Sequence, residues 1–233
     1  MGSEPRVLPL HLADIHLPEG EPWPQGTPFP VVAHAVVHRD GVFLFDTGIG
    51  AGNPEVEELY SPERFPIQDA LAAHGIDLAD VTAAANCHLH IDHGGQNGLL
   101  PGRPIFVQRR EWAMVHEPDY TIPEWIDVPG LRYEVLDGEA EVAPGLRLIP
   151  TPGHAPGHQS LVVESPAGTI VIAGQAVLTV AEWEGSTEPV DSGLPGEGDE
   201  GRDAYVASVG RLRALDPTTV HFVHDPAVWK RPA

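Results

Sequence analysis

The stretch NCHLHIDHGGQN, residues 86–97, places His88, His90, Asp92 and His93 within six consecutive positions. Imidazole nitrogen and carboxylate oxygen are the donors that zinc, iron, cobalt or manganese accept. Alternate residues of an extended chain point the same way, so His88 and His90 aim to one side, and Asp92 and His93, where the chain turns near Gly94-Gly95, aim at a neighbouring point. All four donors would crowd one ion. The spacing therefore suggests two adjacent cation sites sharing a wall. A lone histidine is more often a hydrogen-bonded core residue, but four ionisable groups packed this tightly would repel or stay unsatisfied without a cation.

Two distant segments offer further ligands. TPGHAPGHQS holds His154 in a Gly-Pro loop between strands, and HFVHDP ends a C-terminal strand at His224. His158 reads as a supporting or structural residue, and so does His221, which lies three residues from His224 on a strand and points elsewhere. His11, His16, His34, His38, His74 and His116 have no ligand-like context and read as surface or packing residues. The run IVIAGQAVL, residues 170–178, looks like a buried strand emerging into a site, yet its polar residue is the neutral amide Gln175.

These donors need a frame. FPVVAHAVVHRDGVFLFDTG reads as two strands around the turn His38-Arg39-Asp40-Gly41 and ends at Asp46-Thr47-Gly48. Helical spacing runs from about Ile67 to His74, with Gly75 placed to stop it. VTAAANCHLH reads as a short buried strand, PIFVQ as a strand and RREWAMVHE as a helix; RYEVL, EAEV and LRLIPT follow as strands, and HQSLVVES with TIVIAGQA as a hairpin. DAYVASVGRLRAL returns to a helix and TTVHFVH to a strand. Between Ala181 and Gly201 the sequence has no periodicity and is rich in Gly, Pro and acidic residues, so a long, lid-like loop is expected. With no repeat and no linker, residues 1–233 are expected to form a single domain of mixed α/β layers in which helices cover sheets.

Bulk composition narrows the partners. Against 13 Lys and Arg stand 34 Asp and Glu, a formal net charge of −21 that repels phosphate backbones and anionic membrane surfaces. Neutral or cationic small molecules remain, and neither nucleic acid nor membrane is expected as a partner. No apolar stretch approaches the roughly 18 residues of a membrane span, and MGSEPRVLPLHLADIHLPEG lacks the layout of a secretory signal. Cys87 is the only cysteine, so no internal disulfide can form, and a cytoplasmic setting is expected. The 25 Gly and 25 Pro imply many turns and a sheet-rich protein. A monomer or a homodimer is expected.

HLHIDH, TPGHAPGHQSL and the HD near the C-terminus, taken in order, resemble the metallo-β-lactamase-fold hydrolases, and among them the N-acyl-homoserine lactonases. IFVQRREW, YEVLDGEAEVAPGLRLIPTPGHAPGHQSLVVES and FVHD extend the likeness from about Val31 onward. The resemblance implies a four-layer αββα sandwich with metals at one sheet edge. It implies that His88, His90 and His154 hold one metal and Asp92, His93 and His224 the second. Asp46 matches a carboxylate that stands behind the ligands and orients them; its alternative role is to cap a turn. Zinc, as one or two ions, is the implied cofactor, with iron, cobalt or manganese possible. The implied reaction is attack of metal-bound hydroxide on a lactone or other ester carbonyl, with Asp92 passing a proton toward the leaving alkoxide.

Two positions depart from that pattern. Gln175 falls where the family has an aspartate bridging both metals; a neutral amide serves one cation, so the second ion should bind more weakly. Leu178 falls where the lactonases have a tyrosine, and Tyr60, Tyr120, Tyr133 and Tyr205 are the phenols left to replace it. The competing functions are hydrolysis of another ester or thioester, as in secondary metabolism, and a metal-binding protein that recognises a small ligand without turnover. Trp23, Trp112, Trp125 and Trp183 are candidates for an apolar pocket wall, although core packing is the commoner fate of tryptophan.

Overall fold

The computed structural model describes residues 4–21, 23–24, 26–187 and 198–232. The first half of the chain builds one sheet from β1 (Arg6–Ile15), β2 (Phe29–His38), β3 (Gly41–Phe45), β4 (Glu63–Arg64), β5 (Val81–Ala85), β6 (Pro104–Gln108) and β7 (Arg132–Leu136), ordered β4-β1-β2-β3-β5-β6-β7. The second half builds another from β8 (Ala140–Ala143), β9 (Leu146–Pro150), β10 (Gln159–Ser165), β11 (Gly168–Ile172), β12 (Thr219–His221) and β13 (Trp229–Lys230), ordered β13-β12-β11-β10-β9-β8. The helices are α1 (Pro54–Tyr60), α2 (Ile67–Ala72), α3 (Arg109–Trp112), α4 (Pro123–Ile126), α5 (Val180–Trp183) and α6 (Gly198–Ala214).

Three apolar clusters define four layers. Ala33, Ala35, Leu44 and Ala84 on the outer face of the first sheet pack with Ile67 and Leu71 of α2. The opposite face contributes Val36, Phe43, Phe45 and Ala85, which meet Leu146, Leu148, Leu161, Val163 and Ile172 of the second sheet. Ile149, Val162, Val171 and Val220 on the outer face of that sheet pack with Trp183 of α5 and Leu212 of α6. This is the αββα sandwich that the resemblance implied. The alternation of β2 explains it: successive residues face opposite ways, and both faces are apolar because both are covered. The sheets also touch through backbone, where Val32 N–H donates to Val223 O at 2.8 Å, just before His224.

The strand expected to end at His224 stops at His221, and four further expectations need correction. The strand expected to run through His90 stops at Ala85, because beyond Asn86 alternate amides turn to side-chain carboxylates: Cys87 N–H to Asp46 at 2.7 Å and Leu89 N–H to Glu111 at 2.7 Å. The helix expected over RREWAMVHE spans only Arg109–Trp112, and the following turns bring Tyr120 round to donate to Glu111. The strand expected to carry Gln175 ends at Ile172; Gly174 then adopts φ 62° and Gln175 sits in a 3-10 turn. The N-terminal stretch, read only for targeting signals, forms the ten-residue β1. Of the expected lid from Ala181 to Gly201, residues 188–197 lie outside the described residues, its start belongs to α5, and α6 begins at Gly198. Among the described residues no helix is long and apolar enough to cross a membrane.

Candidate metal centre

The site forms where β3 and β5, parallel neighbours, end side by side. Asp46 follows β3 with φ 66°, a left-handed conformation that aspartate tolerates better than most residues. One of its oxygens accepts the Cys87 N–H; the other accepts from His93 Nδ1 at 3.1 Å. Leu89 is buried with Val107, Val115 and Ile126, which leaves its neighbours His88 and His90 to take the other side of the extended chain. The following turn is fixed by backbone: His93 O accepts from Thr47 N–H at 2.8 Å, and Gly95 N–H donates to Gly48 O at 2.8 Å. A Cβ on Gly95 would stand 1.9 Å from Gly50 N, so only glycine fits.

Donors from four segments converge. His154 Nε2 lies 3.1 Å from His88 Nε2 and 3.0 Å from His90 Nδ1. Beside that group, His93 Nε2 lies 3.3 Å from Asp92 Oδ2 and 3.0 Å from Gln175 Oε1, while His224 Nε2 lies 3.7 Å from the same Asp92 oxygen and 3.3 Å from the same Gln175 oxygen. Tetrahedral ligands at zinc-like bond lengths of roughly 2.0–2.2 Å stand about 3.3–3.6 Å apart. Both groups therefore have the donor types and spacing to hold a divalent cation. His88, His90 and His154 form one potential ion-binding trio, and Asp92, His93 and His224 another.

The orientation of the rings suits ligation. His93 and His224 each donate Nδ1–H away from the group, to Asp46 and to Pro30 O at 2.9 Å, which leaves Nε2 as the atom facing the other donors. Burial disfavours charge on His93, but the carboxylates of Asp92 and Asp46 outweigh it and hold the pKa at about 9. Burial takes His224 the other way, to about 3, against the pull of Asp92. His88 is held well below its ordinary value by burial and by His93, His90 and His154 around it. For Asp92, burial is overcome by His93 and His224, and its carboxyl titrates below the usual range.

The remaining candidates sort by contact. His158 is buried behind the donors, with Nε2 accepting the Gln175 N–H at 2.9 Å. His221 meets His34 instead, ring centroids 5.2 Å apart, both buried between the sheets. Leu178 is buried among Val31, Ile49, Val56 and Trp125, with Trp23, Tyr60 and Ile91 packed on the same cluster. Trp23 and Trp125 thus share a cluster with Ile91, beside the donors in sequence, whereas Trp112 meets Tyr133 at a tilt with ring centroids 4.7 Å apart and Trp183 packs behind the second sheet. Among the phenols, Tyr120 stands 4.7 Å from the His90 ring, and Tyr60 is raised in pKa by burial and then by the Asp92 charge.

Sequence reasoning missed Glu111. It is buried, with Oε1 taking the Leu89 N–H and the Tyr120 hydroxyl, so it ties the His88–His90 segment to the Tyr120 ring. Its only sequence signal is an acidic residue on the apolar side of an expected helix.

A sandwich of this topology with a histidine-aspartate cluster at the strand ends defines a class: the profile of the Metallo-beta-lactamase superfamily matches residues 26–224, and the chain belongs to that superfamily. It is a metal-dependent hydrolase of lactonase-like type. The N-acyl homoserine lactonase AttM of Azorhizobium caulinodans is 36% identical over 226 residues, covering 86% of this chain and 83% of that protein. An N-acyl homoserine lactonase from a Bacillus species is 30% identical over 211 residues, covering 84% and 81%. Among solved structures, a variant of Bacillus thuringiensis AiiA with N-decanoyl-L-homoserine at its active site superposes with TM-score 0.75 at 25% identity, covering 97% of this chain and 94% of that one. An N-acyl homoserine lactone hydrolase with N-hexanoyl-L-homoserine at its metal centre shares the fold with TM-score 0.76 at 24% identity, covering the same shares.

Proposed function

We propose that this protein hydrolyses a lactone ring, that of an N-acyl homoserine lactone or a related lactone, to the open-chain hydroxy acid. The observation that carries the reading is the convergence of six histidine and aspartate donors, with the Gln175 oxygen, into two adjacent groups. The relatives named above act on such lactones at comparable length. In this reading His88, His90 and His154 hold one Zn2+ and Asp92, His93 and His224, with Gln175, hold the other; iron, cobalt or manganese would suit the same donors. A bound cation would polarise the lactone carbonyl and bring the pKa of water toward neutrality.

The chain supplies the rest. Asp92, kept ionised by His93 and His224, takes a proton from the attacking water and returns it to the ring oxygen as the acyl–oxygen bond breaks. Asp46 holds His93 in the tautomer that presents Nε2. Trp23, Trp125, Ile91 and Leu178 offer an apolar wall beside the donors for the acyl chain. An amide in place of a carboxylate at position 175 leaves a cation pair one charge unit less compensated, so the two ions bind unequally, the one at Asp92, His93 and His224 more weakly.

Zinc-loaded protein mixed with N-hexanoyl homoserine lactone in a pH-stat tests the reaction. One proton should be released per ring opened, and a chelator should abolish release. Thermal stabilisation by the lactone with no product would instead indicate a ligand-binding protein, and turnover confined to thioesters in a small panel would move the substrate class.

A further inference from the structure

His158 belongs to neither proposed ligand set, yet it is fully buried and bonded through both ring nitrogens. A backbone N–H can only donate, so the 2.9 Å contact with Gln175 N makes His158 Nε2 the acceptor and puts the proton on Nδ1. Nδ1 in turn faces Thr151 O and Thr151 Oγ1, each at 2.9 Å. Thr151 Oγ1 lies 2.7 Å from Ser160 Oγ, and the Ser160 hydroxyl donates to Ala173 O at 2.7 Å. Ala173 N–H donates to His221 O at 3.0 Å. The backbone is thus held on both sides of Gly174, at Ala173 and at Gln175.

Gly174 itself is wedged. At φ 62° a Cβ would stand 2.7 Å from His158 Nε2 and 2.8 Å from Cys87 Cβ. A turn held at both ends, passing through a left-handed glycine pressed against an imidazole, has little choice in where it launches the next side chain. That side chain is Gln175, whose oxygen stands between His93 Nε2 and His224 Nε2.

We propose that His158 is a positioning residue: by fixing the Gln175 N–H it places the amide oxygen between His93 and His224, and so sets the affinity of the cation held there without setting that of the cation held by His88, His90 and His154. The inference rests on the reading of Asp92, His93, His224 and Gln175 as ligands of one cation. A purely structural role would act differently. His158 also closes the loop that carries His154: two backbone bonds, Thr151 N–H to His158 O at 2.9 Å and His158 N–H to Ala155 O at 3.2 Å, act beside the ring contact of Nδ1 with Thr151. Replacing the ring leaves the two backbone bonds in place.

The test is calorimetric titration of the chelator-stripped protein with Zn2+, reading two binding steps. His158→Leu keeps bulk and removes both polar atoms; it should weaken the second step by about 10- to 100-fold and leave the first unchanged. His158→Gln carries an oxygen able to accept the Gln175 N–H and should recover most of the loss. In a Gln175→Ala background His158→Leu should have no further effect on the second step, because a residue that works through the amide has nothing left to place. Should His158→Leu not fold, His158→Asn, too short to reach Gln175, carries the same expectation. A single step in the wild type, equal weakening of both steps, an unchanged second step, or an undiminished effect in the Gln175→Ala background would each overturn the proposal. Lactone turnover is measured separately on the wild type, so its absence would count against the proposed reaction and not against the ratio of metal affinities.

Discussion

Asp46 uses both oxygens of its carboxylate, one on the Cys87 amide and one on the ring of His93. From sequence it had two competing readings, a turn cap and an orienter of ligands, and its two contacts, a backbone amide and a histidine ring, are compatible with either. Asp46→Asn keeps the shape but loses the charge that favours Nδ1–H on His93; metal affinity should fall about 10- to 100-fold in equilibrium dialysis, and unchanged affinity would count against an orienting role. Gln175→Asp should act in the opposite direction, tightening the weaker ion, with unchanged stoichiometry and affinity speaking against the charge argument. The six histidine and aspartate donors were legible because four are local in sequence and the other two sit in short, turn-rich motifs. Glu111 was not, because its role is defined by partners 22 residues upstream and 9 downstream that meet it only after folding. The pairing of His34 with His221 was hidden for the same reason: β2 and β12 come from opposite sheets.

Elements bounded by strong turn chemistry were read well. The hairpin of β2 and β3 turns at Arg39-Asp40, inside the expected turn His38–Gly41, with His38 opposite Gly41. The strand β1 contains Pro9, which suits an edge and not a central position; β4 pairs only with Ala13 and Asp14, so among the described residues that side of β1 has no partner strand at Pro9. A signal for α1 was available in Asn53-Pro54: the Asn53 side chain accepts from the amides of Glu55 and Val56, and proline occupies the first helical position. Strand ends at the site were the hardest to place, because there side-chain carboxylates replace ladder partners. The tightest of these junctions is Gly48–Gly50 against Gly94-Gly95. Gly95→Ala should destabilise the fold by about 3 kcal/mol or more in urea unfolding, since a Cβ meets backbone that cannot step aside; a cost under 1 kcal/mol would contradict the packing described.

For the whole molecule, the sandwich buries His34 and His221 between its sheets, away from the donor groups. Burial, then the charge of Lys230, lowers the pKa of His221 to about 4, and burial with His221 lowers His34 well below its ordinary value. Above pH 6.5 both states of the protein leave these rings neutral and stability is unaffected. Below it the unfolded chain binds protons that the folded chain refuses, so stability falls as pH drops from about 6.5 toward 4. For His221 alone the loss at pH 5 is about 2 kcal/mol. Comparing urea unfolding of the wild type and His221→Gln at pH 7.5 and pH 5 should show the wild type losing more stability by about that amount; an equal loss would mean that the ring titrates normally. The layered architecture itself follows from the periodicity of the strands, whereas the convergence of loops after β3, β5, β9 and β12 on one edge is a property of topology that no single segment carries.

The most direct measurement is an anomalous-scattering map of zinc-loaded crystals at the zinc edge. Two peaks are expected, a full one among His88, His90 and His154 and a weaker one among Asp92, His93, His224 and Gln175. Two peaks of equal and full occupancy would contradict the unequal site that Gln175 implies, and no peak at either group would remove the hydrolase mechanism altogether.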